Sequence, residues 1–342
     1  MPNRTTADEE FDADLAGMLA APHAVPLGLK PDVPWFDFDL VIELGLGYLK
    51  RGESTAAEAV ATAALASRSA KVQAAGQLVT ALLQLSRGRY RRAWAATGKA
   101  AKFSDPDVAA EVAFVRGLIL EGRGNNRDAS HQYGVVAQSG RYRSVGRAAL
   151  AFGEMLARES GSWDPDAYEV LGAAVDSGFP EAAGPALLAQ ATLVDRGPDR
   201  DMAEFLYREA TGASIPRTAA QAAFHLGDIL RERGDLAGAR EQFRAASRSS
   251  DPEFSAKGAL NLGVMLMEAG QAAEAIELFD LAAASSHEPA AARGHCHLGL
   301  LAIDAGDPRT AEHHLRIALR CKDPQVQAAA RTGLDHLRNG GR

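Results

Sequence analysis

Apolar and small residues recur along most of the chain at the spacing of one face of an α-helix. Ala239, Phe243 and Ala246 stand at positions i, i+4 and i+7, and most residues between them are polar. Residues at this spacing form one stripe along a helix, which packs against a neighbouring element. The same spacing returns 36 residues later, with Phe279 at its centre. The pattern predicts short amphipathic α-helices.

The helical pattern repeats along the chain with a fixed period. Gly227, Gly263 and Gly299 are 36 residues apart, and each follows a leucine. An alanine series extends the period towards the N-terminus. It comprises Ala57, Ala93, Ala129, Ala167, Ala203, Ala239, Ala275 and Ala311. Its steps are 36 residues except for one of 38, so the sequence predicts eight repeated units.

Glycines and Asp-Pro pairs mark where the predicted helices begin, end and approach each other. A glycine inside a helix costs about 0.5–1 kcal/mol relative to alanine, so a phased glycine such as Gly227 indicates a close neighbouring helix. Gly234 is predicted to end the first helix of its unit, because a left-handed residue after a helix costs least as glycine. Asp105 and Asp251, each followed by proline, predict N-caps.

The motif Leu44-Gly45-x-x-Tyr48, together with Gly52 seven residues after the first glycine, resembles the tetratricopeptide repeat. This resemblance implies an all-α fold, an α-α superhelix in which a right-handed solenoid of eight helix pairs is followed by a C-terminal capping helix. The period of 36 residues exceeds the family's usual unit of about 34, so we expect longer connections between units. The Ala- and Arg-rich composition is typical of a bacterial protein.

The pattern divides the chain into three segments. Residues 1–37 are acidic and Pro-rich, and we expect them to be partly disordered or to form a capping helix. The alternative is that they dock into the groove of their own chain or of a partner. Residues 38–323 carry the eight repeats, and residues 324–342 form a capping helix and tail with Asp335 where earlier units have glycine.

The resemblance also implies that the first helices of the pairs line a concave groove that binds a peptide or a partner helix. We expect the binding residues in the sixth to eighth units. They are Phe224, His225, Asp228, Arg231, Lys257, Asn261, Val264, Arg293, His297 and Leu300. An asparagine on such a helix has both a donor and an acceptor for a peptide backbone. The alternative for each residue is an ordinary solvated face.

The corresponding positions in the first three units are more apolar. They are Ile42, Leu46, Leu49, Leu78, Leu82, Leu85, Phe114 and Leu118. Large exposed apolar patches mark binding sites. We therefore expect a partner helix, the N-terminal segment or a second copy of the chain to cover this stripe.

Charge and motif content argue against several classes of function. The formal net charge of −7 argues against nucleic-acid binding and against a polybasic membrane contact. The sequence shows no membrane-spanning run and no signal peptide at its start, which favours a cytoplasmic protein. The cluster of His295, Cys296 and His297 matches no zinc spacing, and no phosphate-binding loop occurs. We therefore predict no metal, no cofactor and no enzyme activity.

Two Arg-rich stretches remain outside this scheme. They contain Arg87, Arg89, Arg91 and Arg92, and then Arg141, Arg143 and Arg147. A solvated convex edge is the favoured interpretation, and a surface for an anionic partner is the alternative.

The sequence thus predicts a scaffold or adaptor that holds another protein or peptide. Two other functions are compatible with the pattern. One is a peptide-sensing regulator that acts in trans on an effector, and the other is an accessory subunit of an enzyme complex.

Overall fold

The computed structural model describes residues 36–137 and 142–339. In these ranges the structure contains 17 α-helices and no strand. The predicted all-α fold of eight helix pairs and a C-terminal helix is therefore confirmed for the described residues. The predicted N-terminal segment lies outside them, apart from Phe36 and Asp37.

Consecutive helices pack against each other in pairs, and in most pairs the first helix is longer than the second. The first helices are α1 (Phe38–Lys50), α3 (Ala70–Ser86), α5 (Pro106–Gly122), α7 (Tyr142–Ser160), α9 (Pro180–Asp195), α11 (Pro216–Glu232), α13 (Pro252–Glu268) and α15 (Glu288–Asp304). The second helices are α2 (Ser54–Leu65), α4 (Tyr90–Ala100), α6 (Asn126–Ala137), α8 (Pro165–Asp176), α10 (Arg200–Ala210), α12 (Leu236–Ser247), α14 (Ala272–Ala283) and α16 (Pro308–Ala318). The last helix is α17 (Pro324–Asn339).

The described residues divide into two compact units, with the boundary between Ala186 and Leu187. The boundary falls within α9. We call them the N-terminal unit and the C-terminal unit.

The helix starts follow the predicted capping chemistry. The Asp105 carboxylate accepts hydrogen bonds from the N–H groups of the residues two and three positions later, and Pro106 is the first helical residue of α5. Asp251 caps α13 in the same way. An aspartate at this position satisfies otherwise unpaired N–H groups and complements the helix dipole.

The phased glycines lie where helices approach most closely, as predicted. A Cβ atom built on Gly227 would lie 2.7 Å from Cε1 of Phe243, on the second helix of the same pair. Gly294, which the sequence analysis did not single out, marks a second kind of close approach: a Cβ atom on it would lie 2.6 Å from the backbone nitrogen of Ala283, on the preceding pair. Glycine is therefore required for contact both within a pair and between pairs.

The N-terminal unit has a buried charge cluster that the sequence interpretation missed. Arg143 and Arg147 are 6% and 7% exposed, so their assignment to a solvated edge is wrong. The Arg147 guanidinium pairs with the carboxylates of Glu43 on α1 and Glu111 on α5. The Ser144 hydroxyl donates to the Glu111 carboxylate over 2.6 Å. Burial raises the pKa of Glu43, although the positive charge of Arg147 opposes the shift.

The apolar stripe predicted in the first three pairs contributes to the core of the N-terminal unit. Ile42, Leu78, Leu82 and Phe114 are buried members of one hydrophobic cluster. Four further leucines of the stripe are partly buried and pack against that cluster. They are Leu46, Leu49, Leu85 and Leu118. The prediction of an exposed apolar groove is therefore wrong for the four buried residues.

Candidate functional site

The predicted binding residues lie on three successive first helices of the C-terminal unit, α11, α13 and α15. They occupy equivalent positions because the period is 36 residues: His225, Asn261 and His297 form one such row. A helix face with this regularity can present a line of side chains to an extended ligand. The contacts around each side chain differ, and they decide which residues are available.

An amide and a carboxylate connect α11 to α13 at the centre of this face. The Asn261 side-chain N–H donates to Oδ1 of Asp228 over 3.2 Å. Arg231, one turn further along α11, donates to the same oxygen over 3.0 Å. This arrangement uses one N–H of the Asn261 amide, which also has a second N–H and a carbonyl oxygen.

The environment of Asp228 makes its carboxyl a weaker acid than usual. Burial raises its pKa, and the attraction of Arg231 opposes that shift only in part. The neighbouring Glu232 and Asp195 carboxylates raise the pKa further. A cationic group of a ligand would therefore find several acidic side chains near this point.

Lys257 and Phe224 form a second contact between α11 and α13. The Lys257 ammonium lies 6.0 Å from the centre of the Phe224 ring and 4.8 Å from that of Phe254. Its Nζ atom also pairs with Glu253 over 2.6 Å. The hydrogen bonds from Lys257 and Arg217 lower the pKa of Glu253 to about 2, so this carboxylate stays charged. The result is a half-buried cation held over aromatic rings.

We define the α11–α13 face as Phe224, Asp228, Arg231, Lys257 and Asn261. These five predicted residues come from two neighbouring repeats. Hydrogen bonds connect Asn261, Asp228 and Arg231, and a cation–ring contact connects Lys257 with Phe224. Four are half-buried and Arg231 is exposed. The face therefore combines an amide, a carboxylate, two cations and an aromatic ring within reach of solvent.

The two predicted histidines are held against aromatic rings of the preceding second helices. His225 stacks on Tyr207 of α10, with 5.3 Å between ring centres. His297 stacks on Phe279 of α14, with ring centres 4.6 Å apart and an interplanar angle of 10°. Burial lowers the pKa of both imidazoles, and for His225 the attraction of Asp195 does not offset this effect. Both imidazoles therefore favour the neutral form and pack between neighbouring repeats.

The remaining predicted residues do not join the α11–α13 face through any contact described in the structure. Arg293 pairs with Asp323, the residue that precedes α17, over 3.0 Å. Leu300 is 37% exposed, and its Cδ2 atom would lie 3.4 Å from a Cβ atom on Gly333 of α17. Val264 is half-buried on α13, at the position equivalent to Asp228.

Two side chains next to the face were missed in the sequence. Phe254 and Arg217 hold Lys257 and Glu253 in place, and the Arg217 guanidinium lies 5.3 Å from the Phe254 ring centre. A signal was present, since Phe254 precedes Lys257 by three residues and must share its side of the helix. Arg217 gave no such signal, because its partners belong to the next repeat.

Among the described residues, no three His, Cys, Asp or Glu side chains come together as a metal ion would require. Two histidines, His295 and His314, lie side by side, with their Nδ1 atoms 2.9 Å apart. In the same ranges no helix has the length and apolar character to cross a lipid bilayer.

Comparison with known proteins finds one family model that matches part of the chain. The family model for the tetratricopeptide repeat matches residues 173–253 and residues 226–289. These segments include α11, α13 and the face they form. No curated protein sequence matches the chain.

Several solved structures resemble the chain at low sequence identity. One is a chain of the APC/C hetero-tetramer Cut9–Hcn1, with 14% identity, 97% of this chain and 60% of that chain covered, and a TM-score of 0.47. The apo form of RapI is 11% identical, with 95% of this chain and 94% of that chain covered and a TM-score of 0.47. A signal transduction ATPase with a tetratricopeptide repeat sensor from Pyrococcus horikoshii is 12% identical, with 99% of this chain and 53% of that chain covered and a TM-score of 0.47. The chain thus spans only part of two of these three proteins.

Proposed function

We propose, from the premise that this chain is a tetratricopeptide repeat protein, that its α11–α13 face binds a peptide segment of a partner protein. Proteins with this repeat are in general non-enzymatic scaffolds for protein–protein interactions. The finer proposal concerns where on this chain the partner binds and which groups it meets.

The single observation that carries the proposal is the pairing of Asn261 with Asp228 across two repeats. An amide has the same donor and acceptor groups as a peptide bond, so Asn261 can pair with the main chain of a peptide of almost any sequence. The Asp228 bond fixes the orientation of that amide before a partner arrives. A group that is already oriented loses less conformational freedom on binding, which favours affinity.

The neighbouring side chains supply the discrimination. Lys257 is positioned for an acidic group, and the exposed part of the Phe224 ring for an apolar one. Asp228, Asp195 and Glu232 together favour a cationic group nearby. A peptide with an acidic, an apolar and a basic side chain in succession would match these three environments.

Site-specific photo-crosslinking tests the proposal. A benzoylphenylalanine is introduced at Val264, which is half-buried on α13 close to the face, and in a matched control at Leu236, which is 52% exposed on α12. We expect a crosslinked partner from position 264 and none from position 236. Adducts only from the control position would place the partner on the second helices and refute the proposal.

A variant of the face provides the control for specificity. Combining Asn261→Ala with the crosslinker at position 264 should abolish the adduct, because the main-chain contact is lost. Far-UV circular dichroism of the same variant should show unchanged helix content, since Asn261 is half-buried and Asp228 keeps its bond to Arg231. An adduct of unchanged yield would show that Asn261 takes no part in binding.

A further inference from the structure

A cavity of about 530 Å³ opens in the N-terminal unit, between the start of α4 and the end of α5. It lies within the size range of pockets that bind ligands, which is about 300–1,000 Å³. Its described lining consists of Gly88, Tyr90 and four arginines, Arg89, Arg91, Arg92 and Arg123. No carboxylate belongs to this described lining.

The four arginines have no ion-pair partners among the described residues. Several cations elsewhere among the described residues do meet carboxylates, for example Arg87 with Glu58 and Lys71 with Asp107. Four arginines that line one cavity without a carboxylate among its described lining give it a positive potential. That potential attracts an anionic group into the cavity.

The fold adds to the positive potential instead of reducing it. Arg89 is the N-cap residue of α4, and it provides no side-chain hydrogen bond to the first turn. Arg91 and Arg92 lie in that first turn, where the helix dipole already favours negative charge. The equivalent N-cap positions of α10, α12 and α16 carry Asp199, Asp235 and Asp307, each of which accepts a backbone N–H.

The anion is more consistent with a peptide than with a nucleic acid. The chain as a whole has a net charge of −7, so the basic surface is local, and the net negative charge of the rest of the chain disfavours an extended polyanion. Trp94 lies three residues after Arg91, on the same side of α4, and is 39% exposed. An exposed tryptophan beside a charged pocket suits an apolar side chain adjacent to an acidic one.

We propose that the arginine pocket binds a peptide segment with clustered anionic side chains, either neighbouring carboxylates or a phosphorylated residue. Arginine suits both, because its planar guanidinium donates two parallel hydrogen bonds to a carboxylate or a phosphate. The pocket lies in the N-terminal unit and shares no residue with the α11–α13 face. If the pocket does not bind such a peptide, the proposed function of the α11–α13 face is unaffected.

Fluorescence anisotropy with labelled peptides tests the pocket on the full chain. The probes are an octapeptide rich in glutamate, the same peptide with one phosphoserine, and a version with glutamine in place of glutamate. We expect the two anionic peptides to bind, the glutamine version to fail, and salt to weaken binding. Comparing the two anionic probes shows whether carboxylates or a phosphate is the preferred group.

The test variant combines Arg89→Gln, Arg91→Gln and Arg123→Gln. We expect affinity to fall by roughly tenfold or more, because one charge-assisted hydrogen bond alone contributes about a factor of ten. The matched control combines Arg244→Gln, Arg309→Gln and Arg320→Gln, which are exposed arginines of the C-terminal unit with the same total charge. The control should bind as the wild type does.

A second variant separates binding from folding. Arg89→Asp introduces the cap that α10, α12 and α16 have, so it should raise the melting temperature while it weakens peptide binding. Equal affinity in the test variant and the wild type would overturn the proposal. So would equal losses in the two triple variants, or tighter binding of a single-stranded oligonucleotide than of either anionic peptide.

Discussion

Replacing Gly294 by alanine should destabilise the C-terminal unit, although alanine is the better helix former. A Cβ atom at this position would lie 2.6 Å from the backbone nitrogen of Ala283 and 2.8 Å from the carbonyl oxygen of Phe279. Both atoms belong to the backbone of α14, so no side-chain rotation can relieve the overlap. Since ordinary contact begins at 3.4 Å, α14 and α15 would have to separate.

The expected magnitude follows from two opposing effects. Overpacking of a close contact costs typically about 1–3 kcal/mol. Removing a helical glycine returns roughly 0.5–1 kcal/mol. The difference of these ranges is roughly 0–2.5 kcal/mol, and because the overlap is with backbone atoms that cannot rotate away, we expect about 1–2 kcal/mol. Each kcal/mol lowers the melting temperature of a unit of this size by roughly 2–4 °C.

The assay is urea and thermal unfolding followed by circular dichroism, with amide hydrogen exchange to locate the effect. Gly134→Ala is the matched control, because nothing lies within 4 Å of a Cβ atom at that helical position on α6. The control should gain about 0.5–1 kcal/mol, since only the helix propensity changes. If Gly294→Ala were as stable as the wild type or more so, the argument from close backbone packing would be refuted.

Two further substitutions test the electrostatic side of the account. Arg147→Met should lower the free energy of unfolding by roughly 3–5 kcal/mol, because it leaves two buried carboxylates without a positive partner. Arg87→Met breaks an exposed ion pair and should lower it by under about 1 kcal/mol. Urea denaturation measures both changes. The pKa of Glu253 is lowered from 4.5 to about 2, so its pairing with Lys257 and Arg217 contributes stability that is fully present above pH 4.5 and is lost as the pH falls towards 2. Glu253→Gln should therefore flatten the stability profile between these pH values in a titration of the unfolding free energy, and an unchanged profile would contradict the assignment.

The helix pairs were predictable because their signals are local and periodic. Asp251 and Pro252 alone predict the start of α13. Gly227 predicts a closely packed neighbouring helix because glycine recurs at its position every 36 residues. The buried charge cluster was not predictable in this way. Glu43 and Arg147 are 104 residues apart, and their side chains meet only because the first helices of the N-terminal unit are stacked in the fold. An arginine run looks solvated until that packing is known.

The candidate site was predictable in its positions but not in its contacts. The period assigns Asp228, Asn261 and Arg293 to the first helices. It does not show that Asn261 binds Asp228, or that Arg293 turns away to Asp323. Those choices depend on side-chain conformations and on the offset between neighbouring repeats, which a pattern of residue types does not encode.

The most direct test of the proposed binding face is a titration of the crosslinked partner against the Lys257→Ala, Asn261→Ala double variant. Wild type and variant are compared by isothermal calorimetry, with Arg244→Ala, Gln271→Ala as the control on second-helix and turn positions. We expect the face variant to lose affinity by about 100-fold, because it loses the binding free energy of one charged and one neutral hydrogen bond. The control should bind normally. Unchanged affinity in a face variant that keeps its helix content would contradict the claim that a partner binds there.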